Sequence, residues 1–349
     1  MKMIKLAALR TGFEPADEFS NPYSKRFDRA AAYDLMEKNR LRTFGLLCEA
    51  GKTKPDLALT SISIDNMMMY GQPCPDLVAR AVETIPGPTS DRLSELAKTF
   101  EMMIAASYNE RDGDDIYSTV VLFGKKGELI GKYRKVHLPA HEKWTVTPGR
   151  EINVMKTEIG NIGVAICHDI AFPEHCRTLA MKGADIILYP TDGWGATYST
   201  ADCNMGEALV RIRASENACF LVAAKTIPYG GPGGKSCVVS PRGAILAENA
   251  GNKDGVVVAE CGADFDITEP KHHFAFTSGA DSARARYAVE RVPSAYAELT
   301  ARVPALMERY AGVPFAVESE KIEEIKRHEI EFQRAMYDKK PHFLESYHW

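Results

Sequence analysis

The stretch that decides the fold is Gly163-Val-Ala-Ile-Cys-His-Asp-Ile-Ala-Phe-Pro-Glu174, in which an apolar run ends at Cys167 and polar residues follow. A short apolar run of this kind is typical of a buried strand, and a thiol at its end is held rigidly. The turn that follows can aim backbone N–H groups at the group under attack. The same pattern also fits a core cysteine, because free cysteine is among the most buried residue types. The stretch therefore predicts a nucleophile or a packing residue.

A second stretch about thirty residues upstream favours the nucleophile. It reads Gly131-Lys-Tyr-Arg-Lys-Val-His-Leu-Pro139 and is followed by His141-Glu-Lys-Trp-Thr-Val-Thr-Pro-Gly149. Together with the cysteine stretch it resembles the nitrilase superfamily of carbon–nitrogen hydrolases, in its amidase and N-carbamoylase branches. Further matching segments occur in order along the chain: Pro86-Gly-Pro-Thr-Ser-Asp-Arg-Leu93, Gly183-Ala-Asp-Ile-Ile-Leu-Tyr-Pro190, and Arg211-Ile-Arg-Ala-Ser-Glu-Asn217.

The order of predicted elements points to an α/β protein, because strand-like and helix-like runs alternate from residue 4 to residue 260. The resemblance implies a four-layer αββα sandwich in a single domain. We expect residues 1–300 to form the carbon–nitrogen hydrolase domain and residues 301–349 a helical C-terminal extension. An apolar stripe on this extension could pack on its own domain or against a partner subunit. The resemblance implies a homodimer or larger homo-oligomer.

Composition excludes several classes of partner. The 349-residue chain has a net charge of -4 and scattered Lys and Arg, which argues against a nucleic-acid partner. Its eight cysteines show no CxxC pair and no zinc-type spacing, so we expect no metal site and reduced thiols in a cytoplasmic protein. The first ten residues are too short an apolar run for a signal peptide, and no run is long enough to span a membrane.

The resemblance places three catalytic residues on this chain: the nucleophile on Cys167, a catalytic lysine on Lys135 and an additional glutamate on Glu142. A free thiol has a pKa near 8.5, and a nearby ammonium favours the thiolate, so Lys135 would activate Cys167. The same ammonium, with the backbone N–H of His168, can stabilise the oxyanion of a tetrahedral intermediate. Alternatively, Lys135 is one more solvated base and Glu142 a surface acid.

This chain departs from the family pattern at the position of the general base. Family members usually place a glutamate at the end of the strand that here reads Asp56-Leu-Ala-Leu-Thr-Ser-Ile62. The altered base position is Ile62, which cannot take a proton, and loss of a positioned base typically costs about 10²- to 10⁴-fold in rate. A shifted alignment would offer Asp65 or Glu49, but the flanking matches do not support the shift.

Three hypotheses follow from this departure. In the first, the protein hydrolyses a non-peptide amide or related C–N bond through a Cys167 thioester, with Glu142 or His168 relaying the proton. In the second, the acyl group passes to another nucleophile or a different C–N chemistry has evolved. In the third, the protein is a catalytically silent relative that binds a ligand. No organic cofactor is needed in any of them.

The residues around the cysteine restrict the substrate. His168-Asp169 stands where nitrile-cleaving members usually have Trp-Glu. N-carbamoyl-amino-acid hydrolases often hold the substrate carboxylate with arginines at the positions of Ile170 and Ala171, so we expect poor activity on such substrates, because that carboxylate would be unpaired. Trp144 and Trp194 are candidates for an aromatic wall that suits a planar or apolar small-molecule amide, although each could simply pack its loop.

Overall fold

The structure is a computed structural model. It describes residues 3–71, 73–139, 142–192, 205–227, 235–249, 251, 253–262, 287–300, 327 and 331. Trp194 and all of the predicted C-terminal extension except Arg327 and Glu331 lie outside the described residues.

The described residues form strands and helices that alternate as the sequence predicts. The strands are β1 (Met3–Gly12), β2 (Leu57–Leu59), β3 (Glu83–Thr84), β4 (Met103–Asp112), β5 (Asp115–Phe123), β6 (Leu129–Arg134), β7 (Val154–Thr157), β8 (Gly160–Val164), β9 (Ile186–Thr191), β10 (Phe220–Ile227), β11 (Ser236–Val239), β12 (Ile245–Asn249) and β13 (Gly255–Gly262). The helices are α1 (Arg29–Lys52), α2 (Met68–Gly71), α3 (Pro75–Ala81), α4 (Pro88–Phe100), α5 (Pro173–Met181) and α6 (Met205–Asn217). Short 3₁₀ turns cover Glu142–Trp144, Cys167–Ala171 and Pro293–Thr300.

Local sequence explains where the two helices of the N-terminal half begin. Asp28 precedes α1, and its carboxylate accepts a hydrogen bond from the backbone N–H of Ala30 at 3.0 Å. Pro88 opens α4, and the Ser90 hydroxyl accepts from the N–H of Gly87 at 2.7 Å. These contacts satisfy N–H groups that have no partner within the helix.

The strands form two sheets. The first has the order β6-β5-β4-β2-β1-β13, with β3 beside β4, and the second has the order β7-β8-β9-β10-β11-β12. The two sheets meet where the end of β1 runs parallel to the end of β10, with Thr11 opposite Thr226. Within this arrangement β2, β1, β10, β9 and β8 are mutually parallel neighbours.

Three apolar clusters show that the sheets and helices form four layers. Side chains from both sheets, among them Leu6, Val120, Ile162 and Leu188, pack together in a central cluster. A second cluster packs α1 and α4 on the outer face of the first sheet, and a third packs α5 and α6 on the outer face of the second. The order is helices, sheet, sheet, helices, which confirms the predicted αββα sandwich in a single domain.

Two local predictions need correction. The strand predicted to run from Asp56 to Ile62 is regular only over Leu57–Leu59, so Ile62 lies beyond the end of β2. Beyond that point the chain keeps isolated contacts with β4, such as the N–H of Thr60 with the carbonyl of Ala105. Cys167 is likewise not the last residue of its strand, because β8 ends at Val164 and Cys167 opens a 3₁₀ turn.

Candidate active site

The candidate site lies at the carboxyl ends of the parallel strands. In open α/β sheets ligands bind at this edge, because loops from several strands converge there. Cys167 follows β8, Asp192 follows β9, and Lys225 lies near the end of β10. Arg10 lies near the end of β1, and Ile62 follows β2.

Cys167 is held in a strained backbone conformation. Its φ of 45° falls in the left-handed region, which non-glycine residues rarely adopt. Such outliers persist only where the surroundings enforce them, and they cluster at functional sites. The side chain is only 6% exposed, and its thiol donates a hydrogen bond to Oδ1 of Asp192 at 3.4 Å.

Lys135 lies directly after β6, in the opposite sheet. The side chain is fully buried, and its Nζ donates to both carboxylate oxygens of Glu142, at 2.7 and 2.8 Å. Burial alone would lower the pKa of Lys135, but electrostatic interaction with Cys167 in its thiolate form and with the Glu142 carboxylate outweighs burial and raises that pKa. Lys135 is therefore an ammonium fixed beside the thiol and not the solvated base that was its alternative interpretation.

The electrostatics of Cys167 differ from the simple sequence prediction. Burial raises the pKa of the Cys167 thiol well above its usual value, and the charges of Asp192 and Glu142 raise it further. Lys135 opposes this rise, in the predicted direction, but does not overcome it. A raised pKa favours the protonated thiol, whose proton then has to leave during nucleophilic attack.

The carboxylate of Asp169 joins the cysteine turn to the lysine segment. One oxygen accepts from the Tyr133 hydroxyl at 2.7 Å and from the Ile166 N–H at 2.9 Å. The other accepts from the backbone N–H of His137 at 2.9 Å and lies 2.8 Å from its ring Nδ1. We call these four residues the Asp169 clasp. It connects elements of the two sheets on either side of the central apolar cluster.

One group of side chains in the described residues has the composition of a metal site. Ligand atoms of His137, Asp169 and His175 lie within 4.8 Å of one another. However, both oxygens of Asp169 already accept hydrogen bonds within the clasp. Nε2 of His175 lies 2.8 Å from the carbonyl oxygen of Val164. These contacts explain the group as a hydrogen-bonded connection between segments.

The remaining predicted residues are placed as follows. Trp144 is half-buried and shares its 3₁₀ turn with Glu142. The His168 ring packs edge-on against Phe172, with 5.4 Å between the ring centroids. Ile62 is 3% exposed and belongs to the same apolar cluster as Cys167.

The two alternative base residues lie away from this cluster. Asp65 accepts from the N–H of Met67 and forms an ion pair with Arg40 of α1 at 3.5 Å. Glu49 lies within α1 itself. Neither arrangement supports the shifted alignment.

Sequence reasoning missed three charged residues of this site: Asp192, Lys225 and Arg10. Lys225 is 3% exposed and Arg10 is fully buried. Burial lowers the pKa of Lys225, an effect that nearby Cys167 and Asp192 partly oppose. The available signal was a charged residue at or just after the end of an apolar strand, which is similar to the apolar run ending in a thiol that singled out Cys167.

Comparisons with known proteins identify the family of this chain. A family model described as carbon-nitrogen hydrolase matches residues 55–265. The chain belongs to the carbon–nitrogen hydrolase family, within the nitrilase superfamily, which confirms the resemblance.

Individual relatives of this chain are named as amidases or nitrilases. A chloroplastic omega-amidase of Arabidopsis thaliana is 33% identical over 198 residues, which cover 53% of this chain and 52% of that protein. A nitrilase of Pyrococcus abyssi is 33% identical over 232 residues, 64% of this chain and 83% of the relative. The crystal structure of Saccharomyces cerevisiae Nit3, a member of branch 10 of the nitrilase superfamily, matches with a TM-score of 0.57 and 27% identity over 74% of this chain and 89% of Nit3. The match thus spans about half the length of the Arabidopsis relative.

Proposed function

We propose that this protein hydrolyses a non-peptide amide or a related C–N bond through a thioester on Cys167. The observation that carries the proposal is the fully buried ammonium of Lys135, held by Glu142 and coupled electrostatically to the Cys167 thiol. Even when it is paired with Glu142, a buried ammonium carries a desolvation cost, and its position near the thiol suits the stabilisation of negative charge that develops there. The amidase and nitrilase names of the relatives support the same chemistry.

In this mechanism the thiol attacks the amide carbon, and the carbonyl oxygen becomes an oxyanion. The ammonium of Lys135 stabilises that oxyanion, together with the N–H of His168 at the start of the 3₁₀ turn. Collapse of the intermediate releases ammonia or an amine and leaves a thioester, which water then hydrolyses. Glu142 keeps Lys135 charged throughout and assists proton transfer. Trp144 and Trp194 remain proposed walls of the substrate pocket.

The test is ammonia release from a panel of amides, ureas and nitriles, with intact-protein mass recorded alongside. We expect release that Cys167→Ala abolishes and that Cys48→Ala, at a half-buried cysteine on α1, leaves unchanged. Release that survives Cys167→Ala, or no release from any substrate, would contradict the proposal. N-carbamoyl amino acids should be poor substrates because Ile170, one of the two carboxylate-binding positions, is fully buried and apolar.

The alternative function is acyl transfer on the same site, favoured by the buried isoleucine at position 62. It predicts a stable acyl adduct on Cys167 that a small amine or thiol discharges faster than water does. A silent ligand-binding relative would instead bind without forming any adduct.

We further propose a cytoplasmic homo-oligomer. Within the part of the chain that the structure covers, no helix is long and apolar enough to cross a membrane. The segment 287–300 exposes Val289, Val292, Tyr296 and Leu299, a concentration of apolar surface that suits a subunit contact. Sedimentation of the native chain should show a dimer or larger species, and Leu299→Asp should weaken it, whereas Leu41→Asp on α1 should not. A native chain that sediments as a monomer would exclude the oligomer.

A further inference from the structure

Among the described residues of this site, Asp192 carries the one carboxylate that forms a hydrogen bond with the Cys167 thiol. Position 62 holds an isoleucine. Both oxygens of Glu142 accept from Lys135 Nζ. In contrast, Oδ1 of Asp192 accepts the thiol hydrogen at 3.4 Å. A general base has to lie within hydrogen-bond reach of the proton that it removes, and Asp192 meets that condition.

The fold fixes Asp192 beside the thiol. It directly follows β9, the parallel neighbour of β8, so the two side chains leave adjacent strand ends. The Thr226 hydroxyl donates to the backbone carbonyl of Asp192 at 2.9 Å and ties it to β10. The next residue back on β10, Lys225, is buried and interacts electrostatically with both Asp192 and Cys167. Asp192 itself is half-buried, which leaves part of its surface open to water.

We propose that Asp192 is the general base of this site, acting from the end of β9 in place of a glutamate at position 62. This inference rests on the proposed function, because it names the proton acceptor of that reaction.

In the first half-reaction the Asp192 carboxylate takes the thiol proton as the bond between sulfur and the acyl carbon forms. The same proton passes to the leaving nitrogen as the C–N bond breaks, so ammonia or an amine departs and Asp192 is again a carboxylate. In the second half-reaction Asp192 takes a proton from a water molecule, and the oxygen of that water molecule bonds to the acyl carbon of the thioester. The C–S bond breaks, the sulfur recovers that proton, and a carboxylic acid is released.

The test compares Asp192→Asn with the native chain, using p-nitrophenyl acetate alongside the amide panel. Asparagine keeps the size of the side chain but cannot accept the proton, so we expect a fall of about 10²- to 10⁴-fold in amide turnover. With the activated ester, the variant should accumulate a species heavier by one acetyl group, because its thioester is hydrolysed slowly. Asp185→Asn, at the opposite end of β9, is the matched control and should turn over normally.

A second readout separates chemistry from structural damage. Since the Asp192 charge raises the pKa of the Cys167 thiol, Asp192→Asn should alkylate at Cys167 with iodoacetamide at least as fast as the native chain. A merely structural role would slow alkylation and turnover together, and that joint loss would overturn the inference.

The remaining outcomes distinguish the two proposals. Native-like amide turnover by Asp192→Asn would overturn the inference and leave the proposed function standing. Turnover that is independent of Cys167 would overturn the proposed function. A native chain that no amide and no ester acylates would overturn both.

Discussion

At the scale of single residues, the site places four ionisable groups around one thiol. Lys135 and Lys225 are basic, and Glu142 and Asp192 are acidic. Because these groups are buried or half-buried, each charge affects the others more strongly than it would at the surface. Substitutions here should therefore change the pKa values of neighbours as well as removing contacts.

Glu142→Gln tests this coupling. Since the Glu142 charge raises the pKa of Lys135, its removal should lower that pKa, and Lys135 should lose its proton at a lower pH than in the native chain. We expect the alkaline limb of kcat/KM to move to lower pH and the maximum to fall about 10²-fold. A pH–rate profile measures both effects, with the exposed Glu151→Gln as control. An unchanged alkaline limb would show that Lys135 does not limit the rate.

Ile62→Glu tests whether the two base positions can be exchanged. In the Asp192→Asn background it restores a carboxylate where the family usually has one, so we expect a gain in turnover of about tenfold. This gain is smaller than the rate enhancement that a well-positioned general base supplies. Ile62→Gln in the same background is the matched control, because it adds a polar group of similar size that takes no proton. Equal rates for the Glu and Gln variants would mean that position 62 does not reach the reaction.

At the scale of elements, the Asp169 clasp determines how the cysteine turn meets the lysine segment. Burial alone would raise the pKa of Asp169, but the hydrogen bond from His137 and the charge of His175 outweigh it, and the net shift is downward. A lowered carboxyl pKa stabilises the fold above the unfolded value of about 3.9, and that stabilisation is lost as pH falls through the folded value.

Asp169→Asn should therefore destabilise the fold at neutral pH. It should also make the free energy of unfolding depend less on pH in the acid range. The asparagine amide can accept hydrogen bonds at only one of the two former carboxylate oxygen positions, so buried donors remain unsatisfied. We expect the free energy of unfolding to fall by about 1–3 kcal/mol. Urea unfolding at neutral and at acid pH measures this loss. Asp34→Asn on the exposed face of α1 should change stability by less than about 0.5 kcal/mol. A variant as stable as the native chain at neutral pH would show that the clasp contributes little.

At the scale of the whole molecule, the central apolar cluster determines the spacing of the two sheets. Leu188 of β9 is fully buried in it, so Leu188→Ala should lower the free energy of unfolding by about 2–5 kcal/mol. Leu41→Ala, at a side chain that is 56% exposed, is the control. Denaturant unfolding compares them, and equal losses would contradict a core role for Leu188.

Much of this architecture could be predicted from periodicity, because apolar runs and helical stretches depend on local sequence. The alternation of strand-like and helix-like runs predicted between residues 4 and 260 is observed in the described residues. The site was predicted less completely. A single charged residue after an apolar strand, such as Asp192, gives no local sign of its partner, because the contact depends on which strands become neighbours. The order of β8, β9 and β10 is a tertiary property that the sequence pattern does not state.

The placement of the site between the two sheets has a practical consequence. The ammonium of Lys135 comes from the sheet of β6, whereas the thiol of Cys167 and the carboxylate of Asp192 come from the sheet of β8 and β9. In the proposed mechanism, the reaction rate should therefore depend on the distance between the two sheets. Heat, pressure or a distant packing substitution that moves one sheet by a fraction of an ångström should slow turnover while the protein is still folded.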